Sequence, residues 1–237
     1  MIQFNNYKVS IENHFLFDVD TFSIEKGNVY YLIGKNGAGK SSFLKSIIDF
    51  EDKTQGITID DVSKHQLRQK ELAQKIAYVP SKVTLNNFTA VEDFLLMGRY
   101  PYGSPFAGFN AEDKNSLENV IQLLGIADLR LKFMHQLSDG QQQLISIGRA
   151  LVQEVDYLLL DEPTAFLDYY NKIRIFNLVE ELSLVKKMGI AVVTHDIEYL
   201  FKQAKQIFYV NTNDQQLQFL QQTRDANFED IIENIYQ

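Results

Sequence analysis

A glycine-rich stretch at residues 34–41 carries the clearest chemical signal in the chain. It reads G-K-N-G-A-G-K-S and matches the phosphate-binding pattern G-x-x-x-x-G-K-[ST]. Glycines in this pattern let successive backbone N–H groups converge on a phosphate, and the following helix adds partial positive charge. Lys40 would reach the β- and γ-phosphates of a nucleotide, and Ser41 would place its hydroxyl on a bridging Mg²⁺ ion. The predicted nucleotide contacts are Gly34, Lys35, Asn36, Gly37, Ala38, Gly39, Lys40, Ser41 and Ser42.

Two adjacent carboxylates follow a later apolar run. Residues 157–160 read as a buried strand, and Asp161 and Glu162 come directly after it. Open α/β sheets bind ligands beyond the carboxyl ends of their strands. We therefore expect Asp161 to hold Mg²⁺, directly or through water, and Glu162 to accept a hydrogen bond from an attacking water. The alternative, a solvated acidic turn, is disfavoured by the phosphate-binding pattern upstream.

Two further segments fit a phosphate site. His195 follows the apolar run at residues 190–193, where its imidazole would hydrogen-bond a γ-phosphate oxygen. Ser138 and Gly140 stand just before an amphipathic helix, and a capped helix start is an anion-binding end. Taken alone, the serine and the glycine are also an ordinary helix cap, so their functional interpretation depends on the other motifs.

Strands of an α/β core must position these residues. Residues 2–25 alternate apolar and polar positions in short runs, which predicts several antiparallel strands. The later apolar runs are uniform and short, as expected of strands that are buried on both faces. These core strands are predicted at residues 29–33, 75–80, 157–160 and 190–193.

Helices are predicted on either side of the carboxylates. Residues from about 85 to 150 read as helical, apart from an irregular segment at 98–106 that holds two prolines and two glycines. A helical stretch of this length between core strands is typical of an α/β core with an inserted helical subdomain. After residue 168 a long helix is predicted, with its buried side formed by Ile175, Leu178, Leu182 and Val185.

Composition limits the class of protein. A chain of 237 residues predicts either one large α/β domain or one domain with an inserted subdomain. The absence of cysteine excludes disulfides, thiolate metal sites and iron–sulfur clusters. The net charge of −8 disfavours a role in coating nucleic acid, so no nucleic-acid partner is expected. No apolar run approaches the roughly 18 residues of a membrane span, and the N-terminus lacks the features of a signal peptide. Any membrane contact would therefore be made through a partner.

Taken together, the motifs resemble those of the ATP-binding subunits of ABC transporters, over essentially the whole chain. The resemblance implies an α/β fold: a P-loop NTPase ABC-type ATPase core with an N-terminal antiparallel β subdomain. It also implies an inserted helical subdomain at about residues 85–150, within a single ATP-binding domain at residues 1–237. The matching segments are the Walker A loop at 34–41, the signature at 137–141, the Walker B strand at 158–162, the D-loop at 165–168 and the switch histidine His195.

The same resemblance implies an ATPase that powers transport. Glu162, His195 and Lys40 would be its catalytic residues. Ser41 and Asp161 would hold Mg²⁺ beside the ATP. ATP would lie in a head-to-tail dimer, between the P-loop of one copy and the signature of the other. The expected partners are integral membrane permease subunits and a second ATP-binding subunit, at the cytoplasmic face of the membrane. The signature residues that would contact ATP are Ser138, Gly140 and Gln141.

One stretch points to a narrower group within the family. Residues 91–101 read V-E-D-F-L-L-M-G-R-Y-P and are similar to importer subunits that serve iron–siderophore, haem or cobalamin permeases. The alternative is that Arg99 and the neighbouring aromatic residues simply pack a loop.

Three positions depart from the family pattern. Asp139 stands where glycine is usual in the signature, and Ser81 stands where glutamine is nearly always found. Ser81 either reaches Mg²⁺ through a bridging water or belongs to a loop that has moved. Ile11 aligns with the aromatic residue that stacks on adenine, so either His14 or Phe15 serves with a shifted loop, or the stacking is lost.

Two other classes of protein remain open from the sequence. A soluble ABC-type ATPase that acts on ribosomes or DNA would carry the same motifs, but it usually adds tandem cassettes, coiled-coil arms or basic extensions. A P-loop kinase or GTPase would account for residues 34–41, but not for residues 137–141 together with His195.

Overall fold

The computed structural model describes residues 1–12, 14–51, 54–82, 88–103, 108–204 and 206–220. Within them the strands are β1 (Ile2–Ile11), β2 (His14–Ile24), β3 (Val29–Ile33), β4 (Ile57–Ile59), β5 (Val62–Ser63), β6 (Ile76–Val79), β7 (Tyr157–Asp161), β8 (Gly189–Val193), β9 (Ile207–Asn211) and β10 (Gln216–Phe219). The helices are α1 (Lys40–Ile48), α2 (Gln69–Lys75), α3 (Val91–Leu96), α4 (Ala111–Leu124), α5 (Asp139–Val152), α6 (Tyr169–Lys186) and α7 (Ile197–Gln203). None of these helices is long and apolar enough to span a membrane.

The strands join one mixed sheet in the order β5-β4-β1-β2-β10-β9-β3-β8-β7-β6. From β9 to β6 all neighbours run parallel. Every residue of β3, β7 and β8 is buried, because apolar layers cover both faces of this half of the sheet. Burial on both faces explains the uniform apolar runs that predicted these strands. Since the strands are parallel, their carboxyl ends meet at one edge, and that edge carries the candidate site.

The N-terminal residues form a hairpin of two long strands, where the sequence predicted several short ones. β1 and β2 pair antiparallel along their whole length, and β4 pairs with β1 on its other side. Asn6 has a φ of 49°, and the pairing register shifts between Val9 and Ser10. Such irregularities disturb the alternation of buried and exposed side chains without ending the strand. The antiparallel prediction is confirmed, but the predicted strand lengths were wrong.

Between β6 and β7 the chain is helical, as predicted, although residues 83–87 and 104–107 lie outside the described part. α3, α4 and α5 pack on one another, with Leu95 of α3 and Leu124 of α4 both lying against Gly148 of α5. Just after α3, a 3₁₀ turn at Met97–Arg99 opens the segment that was predicted to be irregular. A Cβ atom on Gly98 would lie 2.3 Å from the carbonyl oxygen of Arg149, so only glycine allows this turn to pack on α5.

The long helix predicted after residue 168 is α6, but one residue of its predicted buried side is exposed. Ile175 and Leu182 are buried as expected, whereas Val185 keeps 69% of its surface exposed. A helix turns by about 100° per residue, so three residues cover only about 300° around its axis. The predicted set contains two such steps, and they leave Val185 rotated away from the core. Phe176 and Val179 complete the buried side instead.

Candidate active site

The phosphate-binding pattern forms the connection between β3 and α1. Its most constrained residue is Gly39, whose φ of 93° lies in the left-handed region. A Cβ atom at this position would lie 2.7 Å from Cδ1 of Leu16 and 3.2 Å from Cε1 of Phe17. Glycine is therefore required both by the backbone and by the available space. The chain then enters α1, whose N-terminus faces the loop.

Lys40 folds back into this loop. Its side chain is only 5% exposed, and Nζ donates hydrogen bonds to the carbonyl oxygens of Gly34, at 2.8 Å, and Lys35, at 2.7 Å. Burial lowers the pKa of Lys40, while the negative charges of Glu162 and Asp161 oppose that shift. The loop thus holds a buried ammonium group through neutral oxygens, in a position that favours an incoming anion.

Asp161, the last residue of β7, is fixed from two sides. Ser41 Oγ donates a 2.8 Å hydrogen bond to its Oδ1, and the Tyr78 hydroxyl donates a 2.8 Å hydrogen bond to its Oδ2. The aspartate is 5% exposed. Both carboxylate oxygens therefore have a donor, as a buried charge requires. The structure therefore places Ser41 and Asp161, both predicted to bind Mg²⁺, in direct contact.

Tyr78 is the site residue that sequence reasoning missed. It lies on β6, in register with Leu159 of the parallel neighbour β7, two residues before Asp161. Burial raises the pKa of Tyr78, and its hydrogen bond to the negatively charged Asp161 raises the pKa further. A polar aromatic residue within the predicted strand at 75–80 was the available signal, but its use needs the order of strands in the sheet.

Glu162 and His195 meet directly beyond the ends of β7 and β8. His195 Nε2 lies 3.0 Å from Oε1 of Glu162, and each side chain is about one third exposed. Glu162 has a φ of 49°, and its backbone N–H donates a 2.9 Å hydrogen bond to the carbonyl oxygen of Val193 in β8. The two predicted residues therefore share one partly solvent-exposed position beyond the strand ends.

The residue after the histidine anchors this turn to α6. Asp196 accepts hydrogen bonds from Thr164 Oγ1, at 2.5 Å, and from Lys172 Nζ. Thr164 is 1% exposed, and Lys172 belongs to the first turns of α6. These contacts tie the segment that follows β7 to the segment that follows β8, and they limit the positions that Glu162 and His195 can take.

The second predicted anion-binding segment is the start of α5. Ser138 is the N-cap: its Oγ accepts a 3.4 Å hydrogen bond from the backbone N–H of Gln141, whose Oε1 accepts a 3.1 Å bond from the backbone N–H of Ser138. Gly140, which was predicted to precede the helix, lies in its first turn because Asp139 already begins it. Among the described residues, no hydrogen bond joins this segment to residues 34–41.

Ser81 faces a small cavity beside the site. This cavity measures about 140 Å³, and Glu162 and Asp139 also line it. The Ser81 side chain and the carboxylate predicted to orient water therefore open onto the same space. A volume of this size accommodates ordered water.

The hairpin borders a wider groove next to α1. Ile11 is 45% exposed and lines this groove, of about 740 Å³, opposite Ser42 and Lys45. The two alternative residues, His14 and Phe15, are not among the described residues that line it. An apolar side chain therefore stands where the family resemblance implies an aromatic ring.

Arg99 lies in the helical layer, where it forms ion pairs with Asp113 and Glu154. We name these three residues the Arg99 cluster. The Arg99 guanidinium group is 2% exposed, 2.8 Å from Asp113 and 2.7 Å from Glu154. It also donates to the carbonyl oxygen of Val152, at 3.1 Å, and lies 4.0 Å from the ring centroid of Tyr102. These contacts agree with the packing interpretation of this residue.

The donors at the strand ends suit a hard cation. Ser41 and Asp161 place a hydroxyl and a carboxylate within hydrogen-bonding distance of each other, and oxygen ligands of this kind are those of Mg²⁺. No group of three or more His, Cys, Asp or Glu residues able to hold a metal occurs among the described residues. An ion here would need phosphate and water oxygens as its remaining ligands, as Mg²⁺ does beside a nucleotide.

Comparisons with known proteins agree with this geometry. The family model described as ABC transporter matches residues 17–165. An ABC transporter ATP-binding protein of Methanocaldococcus jannaschii is 33% identical over 90% of this chain and 74% of its own length. The petrobactin import ATP-binding protein FpuD of Bacillus anthracis is 30% identical over 81% of this chain and 71% of its own length.

Solved structures share the fold over nearly the whole chain. A transporter assigned to the metal-chelate ABC type, in an inward-facing conformation, superposes with a TM-score of 0.84 at 26% identity, covering 99% of this chain and 88% of the other. A dimeric bacterial ABC transporter cassette superposes with a TM-score of 0.74 at 24% identity, over 94% of this chain and all of the other. The predicted α/β fold of the P-loop ATPase type is thereby confirmed. The chain belongs to the ABC transporter family, as one of its ATP-binding and ATP-hydrolysing subunits.

Proposed function

We propose that this subunit hydrolyses ATP at the edge of the sheet where β3, β8 and β7 end. One observation carries the proposal. Lys40, the Ser41–Asp161 pair and the Glu162–His195 pair all lie at or beyond the carboxyl ends of these three neighbouring strands. A phosphate chain laid along the N-terminus of α1 would pass all of them.

Each residue then has a distinct role. Lys40 exchanges its carbonyl partners for the β- and γ-phosphates of ATP. Ser41 and Asp161 hold Mg²⁺, which neutralises phosphate charge when it is bound. Glu162 accepts a hydrogen bond from the attacking water, and His195 beside it donates to a γ-phosphate oxygen. The remaining residues of the P-loop, up to Ser42, supply backbone N–H groups to the phosphates.

The rest of the nucleotide extends into the groove bordered by the hairpin. Ile11 supplies an apolar contact to the base there, in place of an aromatic ring. In a head-to-tail dimer, the ATP bound to the P-loop of one copy is contacted by Ser138, Gly140 and Gln141 of the other copy. The exposed N-terminus of α5 supports this arrangement, since Ser138 and Gln141 hydrogen-bond mainly to each other.

We infer that the transporter is an importer of metal chelates, with an integral membrane permease that holds this subunit at the cytoplasmic face of the membrane. Relatives that support this include the petrobactin import protein of Bacillus anthracis and the iron(3+)-hydroxamate import protein FhuC of Bacillus subtilis. A zinc import protein, ZnuC of Photobacterium profundum, is similarly related, at 31% identity. The iron and the zinc named for two of these relatives support a metal-containing cargo.

Mixed dimers test the shared site. Lys40→Ala disables the P-loop half of each site, and Ser138→Arg blocks the signature half. ATP hydrolysis by either pure variant should fall by roughly 10²-fold or more, because no site is complete. An equal mixture should recover up to about one quarter of wild-type activity, since half the dimers are mixed and each has one intact site. Wild-type activity in a pure variant, or no recovery in the mixture, would contradict the composite site.

A further inference from the structure

Tyr78 has no role in the proposed function, yet it is bonded to a residue at the centre of it. The phenol lies on β6 and reaches across to β7, where its hydroxyl donates to Oδ2 of Asp161 at 2.8 Å. Ser41 occupies the other carboxylate oxygen, Oδ1, at the same distance. The aspartate therefore lies between a donor from the P-loop helix and a donor from a neighbouring strand.

This arrangement restricts the carboxylate. With one hydrogen bond, a carboxylate can rotate about its Cβ–Cγ bond and present either oxygen to an incoming cation. With a donor on each oxygen, rotation would break a charge-assisted hydrogen bond. Tyr78 lies within β6, where Ala77 before it and Val79 after it pair with β7, so the backbone fixes the position from which its hydroxyl reaches the aspartate. Outer partners of this kind orient metal-binding groups and strengthen metal affinity.

We propose that Tyr78 is a positioning residue that fixes the Asp161 carboxylate, so that Oδ1 remains with Ser41 on the side where Mg²⁺ binds. This inference rests on the proposed function, because it assumes a divalent ion beside the nucleotide. It adds a residue from β6, just before the unusual Ser81, to the set that controls metal binding. Tyr78 touches neither nucleotide nor water in this role and acts only through Asp161.

The test compares two tyrosine hydroxyls in the same sheet. Tyr78→Phe removes the donor to Asp161. Tyr157→Phe is the matched control, because its hydroxyl donates a 2.7 Å hydrogen bond to Asp60, from the opposite end of β7. Mn²⁺ binding is followed by electron paramagnetic resonance in the presence of a non-hydrolysable ATP analogue. Binding of a fluorescent ATP analogue in excess EDTA gives the metal-free nucleotide affinity of each variant.

Tyr78→Phe should weaken Mn²⁺ binding by about 10-fold and leave metal-free nucleotide affinity unchanged. Tyr157→Phe should change neither quantity. In an Asp161→Asn background, Tyr78→Phe should have no further effect on Mn²⁺, because the two residues act in series. Mn²⁺ affinity within twofold of wild type in Tyr78→Phe, or an equal loss in the Asp161→Asn background, would overturn the proposal.

Mn²⁺ binding by wild type separates failure of the proposed function from failure of the role of Tyr78. If wild type itself failed to bind Mn²⁺ with the nucleotide, the proposed function would be wrong. Normal binding by both wild type and Tyr78→Phe would instead reject only the role of Tyr78.

If Tyr78→Phe does not fold, 3-fluorotyrosine at position 78 retains the hydroxyl and reports on it by ¹⁹F NMR. Its ¹⁹F resonance should move when Mg²⁺ is added to the nucleotide complex, and should not move in Asp161→Asn. A resonance that is insensitive to Mg²⁺ in the wild-type background would overturn the proposal.

Discussion

Two buried cations, Lys40 and Arg99, are balanced in opposite ways. Arg99 meets two carboxylates, a backbone carbonyl and an aromatic ring, all from its own chain. The ammonium group of Lys40 meets two carbonyl oxygens of its own loop, and no ion pair involving it occurs among the described residues. The fold neutralises the first charge, whereas the second keeps a positive charge that a ligand can neutralise.

The comparison shows that burial alone does not identify a functional charge. A buried ion pair that is complete within the chain is stable in its resting state and gains nothing from a ligand. A buried ammonium group held by neutral carbonyls gains a strong partner when phosphate arrives. Substitutions at the nucleotide site should therefore lower turnover, whereas substitutions in the Arg99 cluster should lower stability.

Glu162→Gln should separate binding from hydrolysis. The amide keeps the shape of the side chain and removes its charge, so nucleotide binding should persist while turnover falls by roughly 10²- to 10⁴-fold. Phosphate release and binding of a fluorescent ATP analogue measure the two quantities. Glu154→Gln, in the Arg99 cluster, is the matched control and should leave turnover per folded molecule unchanged. Turnover within a few-fold of wild type in Glu162→Gln would exclude the assigned role.

Arg99→Met should lower the stability of the protein and leave nucleotide binding nearly unchanged. It leaves Asp113 buried without its cation, which is expected to lower the free energy of unfolding by about 3–5 kcal/mol. Urea denaturation at pH 7 measures the loss. Arg174→Met, at an exposed position of α6, should change stability by less than about 0.5 kcal/mol. Nucleotide affinity of the folded Arg99→Met protein should remain within a few-fold of wild type, and a selective loss of affinity would break the comparison.

The pH dependence of that loss identifies Asp113 as its source. Burial raises the pKa of Asp113, but hydrogen bonds from Arg99 and from the Asn110 backbone outweigh burial and lower the pKa overall. Its stabilising contribution is therefore complete above its unfolded pKa of about 3.9, and is lost as pH falls below that value. In Arg99→Met, protonation instead relieves an unpaired charge. The stability gap between the two proteins should narrow by about 1–3 kcal/mol between pH 6 and pH 3. A constant gap would show that lost packing, rather than charge, causes the destabilisation.

Ser81→Ala should have the smallest effect. A hydroxyl that reaches the metal only through water contributes about 1 kcal/mol, so Mg²⁺-dependent turnover should fall by about fivefold. Nucleotide affinity in EDTA should stay unchanged, because residues 34–41 do not depend on this side chain. Unchanged turnover would place Ser81 outside the site, as an ordinary residue after Pro80.

The sequence predicted the site best where its residues belong to short contiguous motifs. The phosphate-binding pattern at residues 34–41 follows β3 and runs into the start of α1. Asp161 and His195 follow the predicted strands, because uniform apolar runs define strands that are buried on both faces. The bonds between Ser41 and Asp161, and between Glu162 and His195, could also be anticipated. They follow from the rule that parallel strands present their carboxyl ends at one edge.

The contacts that the sequence did not predict depend on distant pairings. The bond from Tyr78 to Asp161 requires β6 to be the neighbour of β7, and nothing within either segment specifies strand order. The Arg99 cluster joins residues that lie 14 and 55 positions apart. Val185 shows a different limit: it fits a spacing of three or four residues, but these steps deviate from a full turn and leave its side chain rotated away from the buried side of α6.

At position 162 the left-handed backbone favours glycine for stability, whereas the proposed catalytic role requires glutamate. A residue with a Cβ atom pays about 1–2 kcal/mol for a φ near 49°, whereas glycine adopts that conformation with little cost. The hydrogen bond from the backbone N–H of Glu162 to Val193 in β8 holds the strained turn in place. A library of variants at position 162 that was sorted for folded protein would therefore become enriched in glycine. The same library sorted for ATP turnover would retain glutamate.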